Sequence, residues 1–253
     1  MEQRVLITAG ASGIGREIAR AFASNGAKVF VCDIDAAALD EFAEEIMGLG
    51  TNVCDISKRE DIDQMIAAGI AALGGLDVLV NNAGIAGPTT PVEEFNPDDW
   101  DNVVKINLNG TFNVTRLAIP HLKKSQAGVI INMSSVAGRF GYANRSAYSA
   151  TKWGIVGFTK TLSIELGKFG IRANAILPGS VEGDRIQRVF ENRAKASGKS
   201  LEQIKKEAMT VQSIKRFVDP RDIAALVIFL ASDAAKSISG QMLPIDNDMQ
   251  QAS

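Results

Sequence analysis

The chain has 253 residues, of which 46% are hydrophobic and 22% charged, and this composition is typical of a folded globular protein. Its formal net charge is −2 and it has no stripe of lysine or arginine, which argues against nucleic acid as a partner. The longest apolar run, residues 224–231, is far shorter than the ~20 residues that cross a bilayer, and the start lacks a signal peptide's apolar region, so we expect a cytoplasmic protein without membrane attachment.

Short β-branched runs alternate with helical patterns along most of the chain, which indicates repeated βαβ units and a parallel sheet. The pattern predicts seven strands, at residues 5–8, 28–32, 51–54, 76–80, 129–133, 172–176 and 242–245. It predicts helices near residues 14–24, 36–47, 58–72, 98–122, 148–167 and 220–231. We therefore expect one domain of the α/β class, a Rossmann-type doubly wound sheet of seven mainly parallel strands with helices on both faces.

A glycine-rich turn follows the first predicted strand. The stretch VLITAGASGIGREIARAF places Gly10, Gly13 and Gly15 between that strand and an amphipathic helix. Glycines let backbone N–H groups approach a diphosphate, whose charge the helix N-terminus stabilises. The same glycines would serve any cramped turn, but their place between the first strand and a helix favours a dinucleotide site.

Asp33 ends the second predicted strand, 18 residues after Gly15. A carboxylate at this place can accept hydrogen bonds from both hydroxyls of an adenosine ribose. It would repel a 2′-phosphate, and the neighbouring Ile34 offers no positive charge to attract one. The pattern therefore favours NAD over NADP, and the alternative is that Asp33 only caps a loop.

Cysteine and histidine are scarce. Cys32 and Cys54 are too few for a disulfide scaffold and lack the spacing of metal ligands, and His121 is the only histidine. We therefore expect no metal site.

The stretch YSATK, residues 148–152, opens a predicted helix, and positions four apart share a helix face. A free phenol has a pKa of about 10, and a nearby ammonium favours its charged form, so Tyr148 and Lys152 can act as one acid/base group. Such a pair alone is a coincidence as often as not. Ser135, 13 residues before Tyr148, ends an apolar strand and can hydrogen-bond a substrate oxygen.

The alternation of strands and helices pauses over residues 181–215, a charged segment that favours helices. An insertion at the carboxyl end of a strand is typical of a lid, because open α/β sheets bind ligands at that edge. The alternative is a solvated helix pair without a role. We favour a substrate lid at about 181–215.

Eight motifs occur along nearly the whole length. In chain order they are TAGASGIG, Asp33, CDI, NNAG, KIN, NMSS, YSATK and LPG. In this combination the chain resembles the short-chain dehydrogenase/reductase family of NAD-preferring, Tyr-x-x-x-Lys enzymes. The resemblance implies a homo-oligomer, commonly a tetramer assembled through the helices near 98–122 and 148–167.

The resemblance also implies roles for individual residues. Tyr148 would be the catalytic acid/base, and Lys152 would tune it and hold the nicotinamide ribose. Ser135 would polarise the substrate oxygen, and Asn107 would keep a water in place for a proton relay. Cofactor contacts are implied for the glycine loop, the strand ends and the later loops, namely Gly10, Ser12, Gly13, Ile14, Asp33, Ile34, Cys54, Asp55, Ile56, Asn82, Ala83, Gly84, Tyr148, Lys152, Pro178, Gly179 and Val181.

The chain departs from the family pattern at three places. Ala9 stands where the family usually has glycine, and we expect its φ to stay negative because a methyl group disfavours positive φ. Gly183 replaces a threonine that contacts the nicotinamide in many relatives. Asn247 and Asp248 replace glycines that are frequent near the end.

The leading hypothesis is an NAD-dependent oxidoreductase that interconverts a secondary alcohol and a ketone on a small polar substrate. The alternatives are a 3-oxoacyl thioester reductase and a dinucleotide-binding regulator without catalysis. Substrate contacts are expected from Ser135, Tyr148 and Arg185. The cationic surroundings of these residues favour a sugar, polyol or hydroxy acid, unless the lid arginines Arg185 and Arg188 merely pair with nearby acidic residues.

Overall fold

The computed structural model describes residues 2–251, apart from the side chains of residues 185 and 196. Seven strands occur in this part: β1 Arg4–Thr8, β2 Lys28–Asp33, β3 Gly50–Val53, β4 Val78–Asn81, β5 Val129–Met133, β6 Arg172–Pro178 and β7 Met242–Ile245. They form one sheet in the order β3-β2-β1-β4-β5-β6-β7, and every neighbouring pair is parallel. The doubly wound fold is thus confirmed, with a wholly parallel sheet.

Helices connect the strands. Their bounds are α1 Gly13–Ser24, α2 Ala36–Glu45, α3 Arg59–Leu73, α4 Pro97–Val104, α5 Thr111–Leu122, α6 Ser146–Leu166, α7 Asp184–Ser197, α8 Leu201–Thr210 and α9 Pro220–Ala231. Within the described residues, none of these helices combines the length and apolarity that crossing a membrane requires.

Each face of the sheet is covered by helices, and β1 shows how its side chains divide between the two faces. Val5 and Ile7 pack in a buried cluster with Phe22 of α1. Leu6, between them, packs in a second cluster with Met65 of α3. Because both faces are buried, the strand reads as a continuous apolar run in the sequence.

The crevice for a ligand follows from the strand order. β1 lies between β2 and β4, so the chain winds in opposite directions from this point. Ligands of open α/β sheets bind outside the carboxyl ends of the strands at such a switch point. Thr8, Asn81 and Met133, the last residues of β1, β4 and β5, mark this edge.

The predicted helix 98–122 is interrupted by a π-helical segment, Lys105–Gly110, which contains Asn107. A wider turn leaves no clear mark in hydrophobic periodicity, so the sequence pattern did not reveal it. Such segments are frequent at functional sites.

The predicted insertion contains the helix pair α7 and α8. Phe190, Ile204 and Ala208 form a small buried cluster between the two helices. At the two ends of the segment, Val181 bridges to Val218 in parallel, and Gln212 bridges to Met249. The pair therefore has its own core and is tied to the rest of the chain at its base.

The turn after β7 adopts a conformation that usually requires glycine. Asn247 and Asp248 have φ values of 58° and 55°. The Asn247 side chain donates to the Arg216 carbonyl at 2.7 Å, and the Ser213 hydroxyl donates to the Asp248 carboxylate at 2.5 Å. Asparagine and aspartate are the residues that tolerate this region best after glycine, and here their side chains fasten the turn to the segment after α8.

The turn after β1 contradicts one expectation. Ala9 has a φ of 50°, in the left-handed region, so the prediction of a negative φ is wrong. Its carbonyl accepts a hydrogen bond from the Asn82 side chain at 2.9 Å. A Cβ on Gly15 would lie 2.1 Å from the same carbonyl oxygen, so the turn is tightly enclosed. The surrounding contacts hold Ala9 in the conformation that suits glycine.

We expect Ala9→Val to lower the free energy of unfolding by about 1–3 kcal/mol, because a β-branched side chain disfavours positive φ strongly. Ala9→Gly should not lower it. Urea unfolding measures both, and Ala36→Val at the exposed start of α2 is the matched control, with an expected change of at most about 0.5 kcal/mol. Wild-type stability in Ala9→Val would contradict the strained turn.

A half-buried ion pair lies at the opposite end of the sheet, at the amino ends of β1 and β4. The Asp77 carboxylate, just before β4, accepts hydrogen bonds from the Arg4 guanidinium at 2.8 Å and the Ser125 hydroxyl at 2.6 Å. Burial alone would raise the pKa of the Asp77 carboxyl, but the bonds from Arg4 and Ser125 outweigh burial and lower it. This carboxylate joins β1, β4 and the turn before β5.

Asp77→Asn should lower the free energy of unfolding by about 1–3 kcal/mol at neutral pH, the usual range for hydrogen bonds to a charged group. Because the folded-state pKa is lowered, the stabilisation is present above about pH 4 and is lost as the pH falls through the folded value. Urea unfolding is measured at neutral pH and again well below pH 4, and the difference in unfolding free energy between wild type and Asp77→Asn should be smaller in acid. A deficit of equal size in acid, or the same deficit in the exposed-site control Asp63→Asn, would contradict this.

Candidate active site

The N-terminus of α1 offers free backbone donors to an anion. Ser12 caps the helix without a side-chain hydrogen bond, and no acidic residue lies in the first turn. A Cβ on Gly13, whose φ is 52°, would meet nothing within 4 Å. Four other helices are closed by capping side chains, namely Asp35, Asn96, Ser200 and Asp219, whereas α3, α5, α6 and α7 lack a side-chain cap as α1 does. The first turn of α1 therefore fits a diphosphate.

The glycine loop is anchored to the neighbouring strand. The Gly10 amide donates to the Cys32 carbonyl at 3.0 Å. Ile14 points back from α1 and packs against the buried cluster. The loop is thus fixed before any ligand binds.

The Asp33 carboxylate contacts the glycine loop and lies where a ribose is expected. One carboxylate oxygen accepts from the Ala11 amide at 3.2 Å, and the other accepts from the Ile34 amide at 2.8 Å. The side chain therefore does hold the loop, as the alternative interpretation proposed. It is also half-buried at the carboxyl end of β2, beside an Ile34 that is 68% exposed, so it can face a ribose as well.

The residues after β3 lie next to Asp33. The Cys54 amide donates to the Asp33 carbonyl at 2.8 Å, although β3 ends one residue earlier than predicted. Contact with Cys54, together with burial, raises the pKa of the Cys32 thiol well above its ordinary value, so this thiol stays protonated. Ile56 is buried and packs against Gly110 of the π-helical segment.

Asp55 remains charged at neutral pH. Burial alone would raise the pKa of its carboxyl, but hydrogen bonds from Ser57 and the charge of Lys58 outweigh burial and lower it. The Lys58 ammonium lies 3.6 Å from the carboxylate. Cys54, Asp55 and Ile56, three of the expected cofactor contacts, thus lie together directly after β3.

The segment after β4 supports the glycine loop. The Thr8 hydroxyl accepts from the amides of Asn82 at 3.0 Å and Ala83 at 3.1 Å. Because the Asn82 side chain also donates to the Ala9 carbonyl, it braces the turn that leads into the glycine loop.

Gly84 leads from this segment to Asn107 and Lys152, two of the candidate catalytic residues. A Cβ at Gly84 would lie 3.1 Å from the Asn107 side-chain oxygen and 3.5 Å from the Lys152 ammonium nitrogen. A larger residue would therefore crowd both groups.

Asn107 is buried, and its side chain is held from two sides. Its oxygen accepts from the Ile85 amide at 2.7 Å, and its nitrogen donates to the Ile85 carbonyl at 2.9 Å and to the Thr151 hydroxyl at 3.2 Å. The Thr151 hydroxyl in turn donates to the Tyr148 carbonyl at 2.8 Å. Asn107 thus joins the loop after β4 to the first turns of α6.

Lys152 is 4% exposed and joins α6 to β5. Its ammonium donates to the Met133 carbonyl at 2.8 Å, and its own carbonyl accepts from the Ser134 hydroxyl at 2.8 Å. The ammonium lies 5.6 Å from the centre of the Tyr148 ring. The predicted tyrosine and lysine are therefore brought together at the carboxyl end of β5.

Ser135 follows at the end of the same strand and is buried. Its hydroxyl oxygen accepts from the Ala137 amide at 3.2 Å. An oxygen that accepts an N–H in this way keeps its own O–H as a donor for a substrate oxygen.

Arg145 is a further cation beside Tyr148. Its guanidinium carbon lies 5.1 Å from the centre of the Tyr148 ring and 5.4 Å from that of Tyr142. Its Nη2 donates to the Ala86 carbonyl at 3.3 Å. The residue is 4% exposed, so its position is fixed.

The segment after β6 lies beside the end of β7. Pro178 is the last residue of β6, and the Gly179 amide donates to the Ile245 carbonyl at 3.1 Å. A Cβ on Gly179 would lie 2.8 Å from the Asp246 backbone, which accounts for the glycine. Gly183 has a φ of 133° and open space around it. Because glycine has no side chain, it cannot make the nicotinamide contact that the family pattern assigns to a threonine here.

Among the predicted substrate residues, Arg185 is the one whose side chain lies outside the described part of the structure; its backbone belongs to α7. Sequence reasoning missed Thr8, Thr151 and Arg193. Thr8 and Thr151 lie inside the motifs TAGASGIG and YSATK, but their contacts, with the amides of Asn82 and Ala83 and with the Asn107 side chain, are visible only in the folded chain. Arg193 is one of several charged residues in the insertion and could not be singled out before the helix pair was placed.

Comparison with known proteins agrees with this arrangement. The family model described as short chain dehydrogenase matches residues 3–194. A D-beta-hydroxybutyrate dehydrogenase of Cupriavidus necator is 41% identical over 247 residues, which cover 95% of each chain.

Two solved structures are similar over nearly the whole chain. An actinorhodin polyketide ketoreductase variant with NADPH has a TM-score of 0.92, 33% identity and coverage of 97% of this chain and 96% of that chain. A 3-ketoacyl-(acyl-carrier-protein) reductase from Brucella melitensis complexed with NADH has a TM-score of 0.88, 33% identity and coverage of 98% of both chains. The chain therefore belongs to the short chain dehydrogenase family, oxidoreductases that act on CH–OH groups with a nicotinamide dinucleotide.

Proposed function

We propose that the protein oxidises a secondary alcohol of a small polar substrate to a ketone with NAD⁺, and catalyses the reverse reduction with NADH. The observation that carries this proposal is the placement of the Lys152 ammonium against the Met133 carbonyl and 5.6 Å from the Tyr148 ring. The overall reaction converts alcohol and NAD⁺ into ketone, NADH and one proton. A bound NAD, held by the residues proposed below, would supply the acceptor for the hydride of the carbinol carbon in oxidation and its donor in reduction.

Tyr148 takes the proton of the substrate hydroxyl during oxidation and returns it during reduction. Ser135 donates a hydrogen bond to the same substrate oxygen and holds it as charge develops there. Lys152 favours the charged form of the tyrosine through its ammonium. These three residues form the catalytic group, with Asn107 as the fourth member proposed for a proton relay.

The cofactor site we propose uses the open first turn of α1 for the diphosphate and Asp33 for the adenosine ribose. Ile34, Cys54, Asp55 and Ile56 would surround the adenine. Ala83, Gly84 and Lys152 would follow the nicotinamide ribose, and Pro178, Gly179 and Val181 would border the nicotinamide. NAD is preferred because the Asp33 carboxylate repels a 2′-phosphate.

A polar substrate is supported by the surroundings of Tyr148. Arg145 lies against its ring, and the α7–α8 pair, proposed as the lid over residues 181–215, carries further charges. The relative from Cupriavidus necator is named for a hydroxy acid, which agrees with this proposal. We further propose a cytoplasmic homotetramer, in keeping with the family.

The alternative substrate class is a 3-oxoacyl thioester, for which one similar solved structure is named. A single assay separates the possibilities. Purified protein is incubated with NAD⁺ and hydroxy acids, sugars, polyols or secondary alcohols, and with NADH and a 3-oxoacyl thioester, and absorbance of the reduced cofactor is followed. Turnover of the thioester alone would favour the alternative, and binding of NADH without any turnover would favour a regulator.

We expect Tyr148→Phe to lower kcat by about 10²- to 10⁴-fold, the usual contribution of a general acid/base. Binding of NADH, followed by its fluorescence, should stay nearly unchanged because the ring still packs. Lys152→Ala should impair both turnover and NADH binding. If Tyr148→Phe retained the wild-type kcat, another residue would have to move the proton.

The ratio of kcat/KM for NAD⁺ to that for NADP⁺ should exceed about tenfold in the wild-type protein, since a hydrogen bond to a charged group typically contributes about 1.5–3 kcal/mol. Asp33→Asn should reduce this ratio. Asp35→Asn is the matched control, because it removes a charge two residues away and asparagine caps α2 equally well. Equal use of both cofactors by the wild-type protein would overturn the assignment.

A further inference from the structure

A cavity lies between the start of α6 and the α7–α8 pair, with a volume of about 270 Å³. The residues that matter for its chemistry are Tyr142, Asn144, Arg145, Arg193, Lys199 and Glu207. It is smaller than the roughly 300–1,000 Å³ typical of sites for drug-sized ligands, so it suits one end of a small molecule.

Arg145 connects this cavity to the catalytic tyrosine. It lines the cavity and lies against the Tyr148 ring, with 5.1 Å between guanidinium carbon and ring centre. Its bond to the Ala86 carbonyl and its burial keep the planar group in one orientation. A substrate whose carbinol oxygen reaches Tyr148 can therefore extend its other end toward Arg145.

Arg193 enters the cavity from α7. Among the described residues, its Nη1 is buried without any hydrogen-bond partner. None of the ion pairs found in residues 2–251 involves Arg193. A buried guanidinium N–H without an acceptor is costly, and an acceptor on a ligand would remove that cost.

The charge balance of the cavity favours an anion. Lys199 and Glu207 lie 2.6 Å apart and neutralise each other. Arg193 is in none of the ion pairs of the described residues, and Arg145 brings a second guanidinium to the cavity wall. Guanidinium binds carboxylates through paired hydrogen bonds. A neutral sugar or polyol would gain much less from these two groups.

We propose that this cavity is an anion subsite that binds the carboxylate of a short hydroxy acid or keto acid, with Arg193 as its main ligand and Arg145 between the carboxylate and Tyr148. The inference rests on the proposed function and narrows its substrate class from polar molecules to anionic ones. It adds Arg193 to Arg185 as a lid arginine expected to contact substrate; the Arg185 side chain lies outside the described part of the structure.

The test compares a 3-hydroxy carboxylate with its neutral amide. Arg193→Gln should raise KM for the carboxylate by about 10- to 100-fold, the range expected from losing a hydrogen bond between charged groups, and change KM for the amide little. The matched control is Lys195→Gln, which removes a positive charge at an exposed position of the same helix and should leave both values unchanged. Arg193→Lys should restore part of the carboxylate affinity.

A binding measurement separates the subsite from catalysis. In the Tyr148→Phe protein with bound NADH, calorimetry should detect the 3-oxo carboxylate without turnover, and adding Arg193→Gln should weaken its binding by a similar factor. Equal effects on acid and amide, or no effect on either, would overturn the anion subsite while leaving the proposed oxidoreductase intact. Absence of turnover with every alcohol would instead overturn the proposed function.

Discussion

The hydrogen bond from the Lys152 ammonium to the Met133 carbonyl is the contact on which the candidate site depends. Taking an ammonium out of water is costly unless its hydrogens find acceptors. Here the acceptor is the last residue of β5, so the contact fixes α6 relative to the sheet. Tyr148 lies one helical turn earlier and is positioned by the same contact. The Ser134 hydroxyl, which donates to the Lys152 carbonyl, closes the connection from the other side.

The two halves of the site are built by different means. On the proposed cofactor side, most of the available hydrogen-bond donors are backbone amides in the first turn of α1. Asn82 and Thr8 hold the preceding turn in place. On the proposed substrate side, charged side chains come together from separate elements, as Arg145 and Arg193 do at the cavity. Backbone geometry suits a ligand that is constant throughout a family, whereas side chains can change from one substrate to another without disturbing the sheet.

The parallel sheet and the pairing of Tyr148 with Lys152 could be predicted from the sequence because both depend on local patterns. A parallel sheet buries both faces of its strands, so runs such as 5–8 and 129–133 stand out. Tyr148 and Lys152 share a helix face, and that relation needs only local spacing. By contrast, the positive φ of Ala9 depends on Asn82, which is 73 residues away in the sequence, and on Gly15, on the other side of the same turn. The π-helical turn at Asn107 and the role of Arg193 likewise depend on contacts between distant segments.

The fastening of the turn at Asn247 and Asp248 to the segment after α8 has a consequence for the order of folding. Its partners, Ser213 and Arg216, leave the ribosome before the last strand does. The glycine loop and the ends of β1 to β5 all precede this turn in the chain, and synthesis proceeds from the N-terminus. The base of the α7–α8 pair gains these anchors only when the turn after β7 arrives. The residues proposed for the cofactor are thus synthesised before this turn, and the base of the proposed lid receives these anchors last.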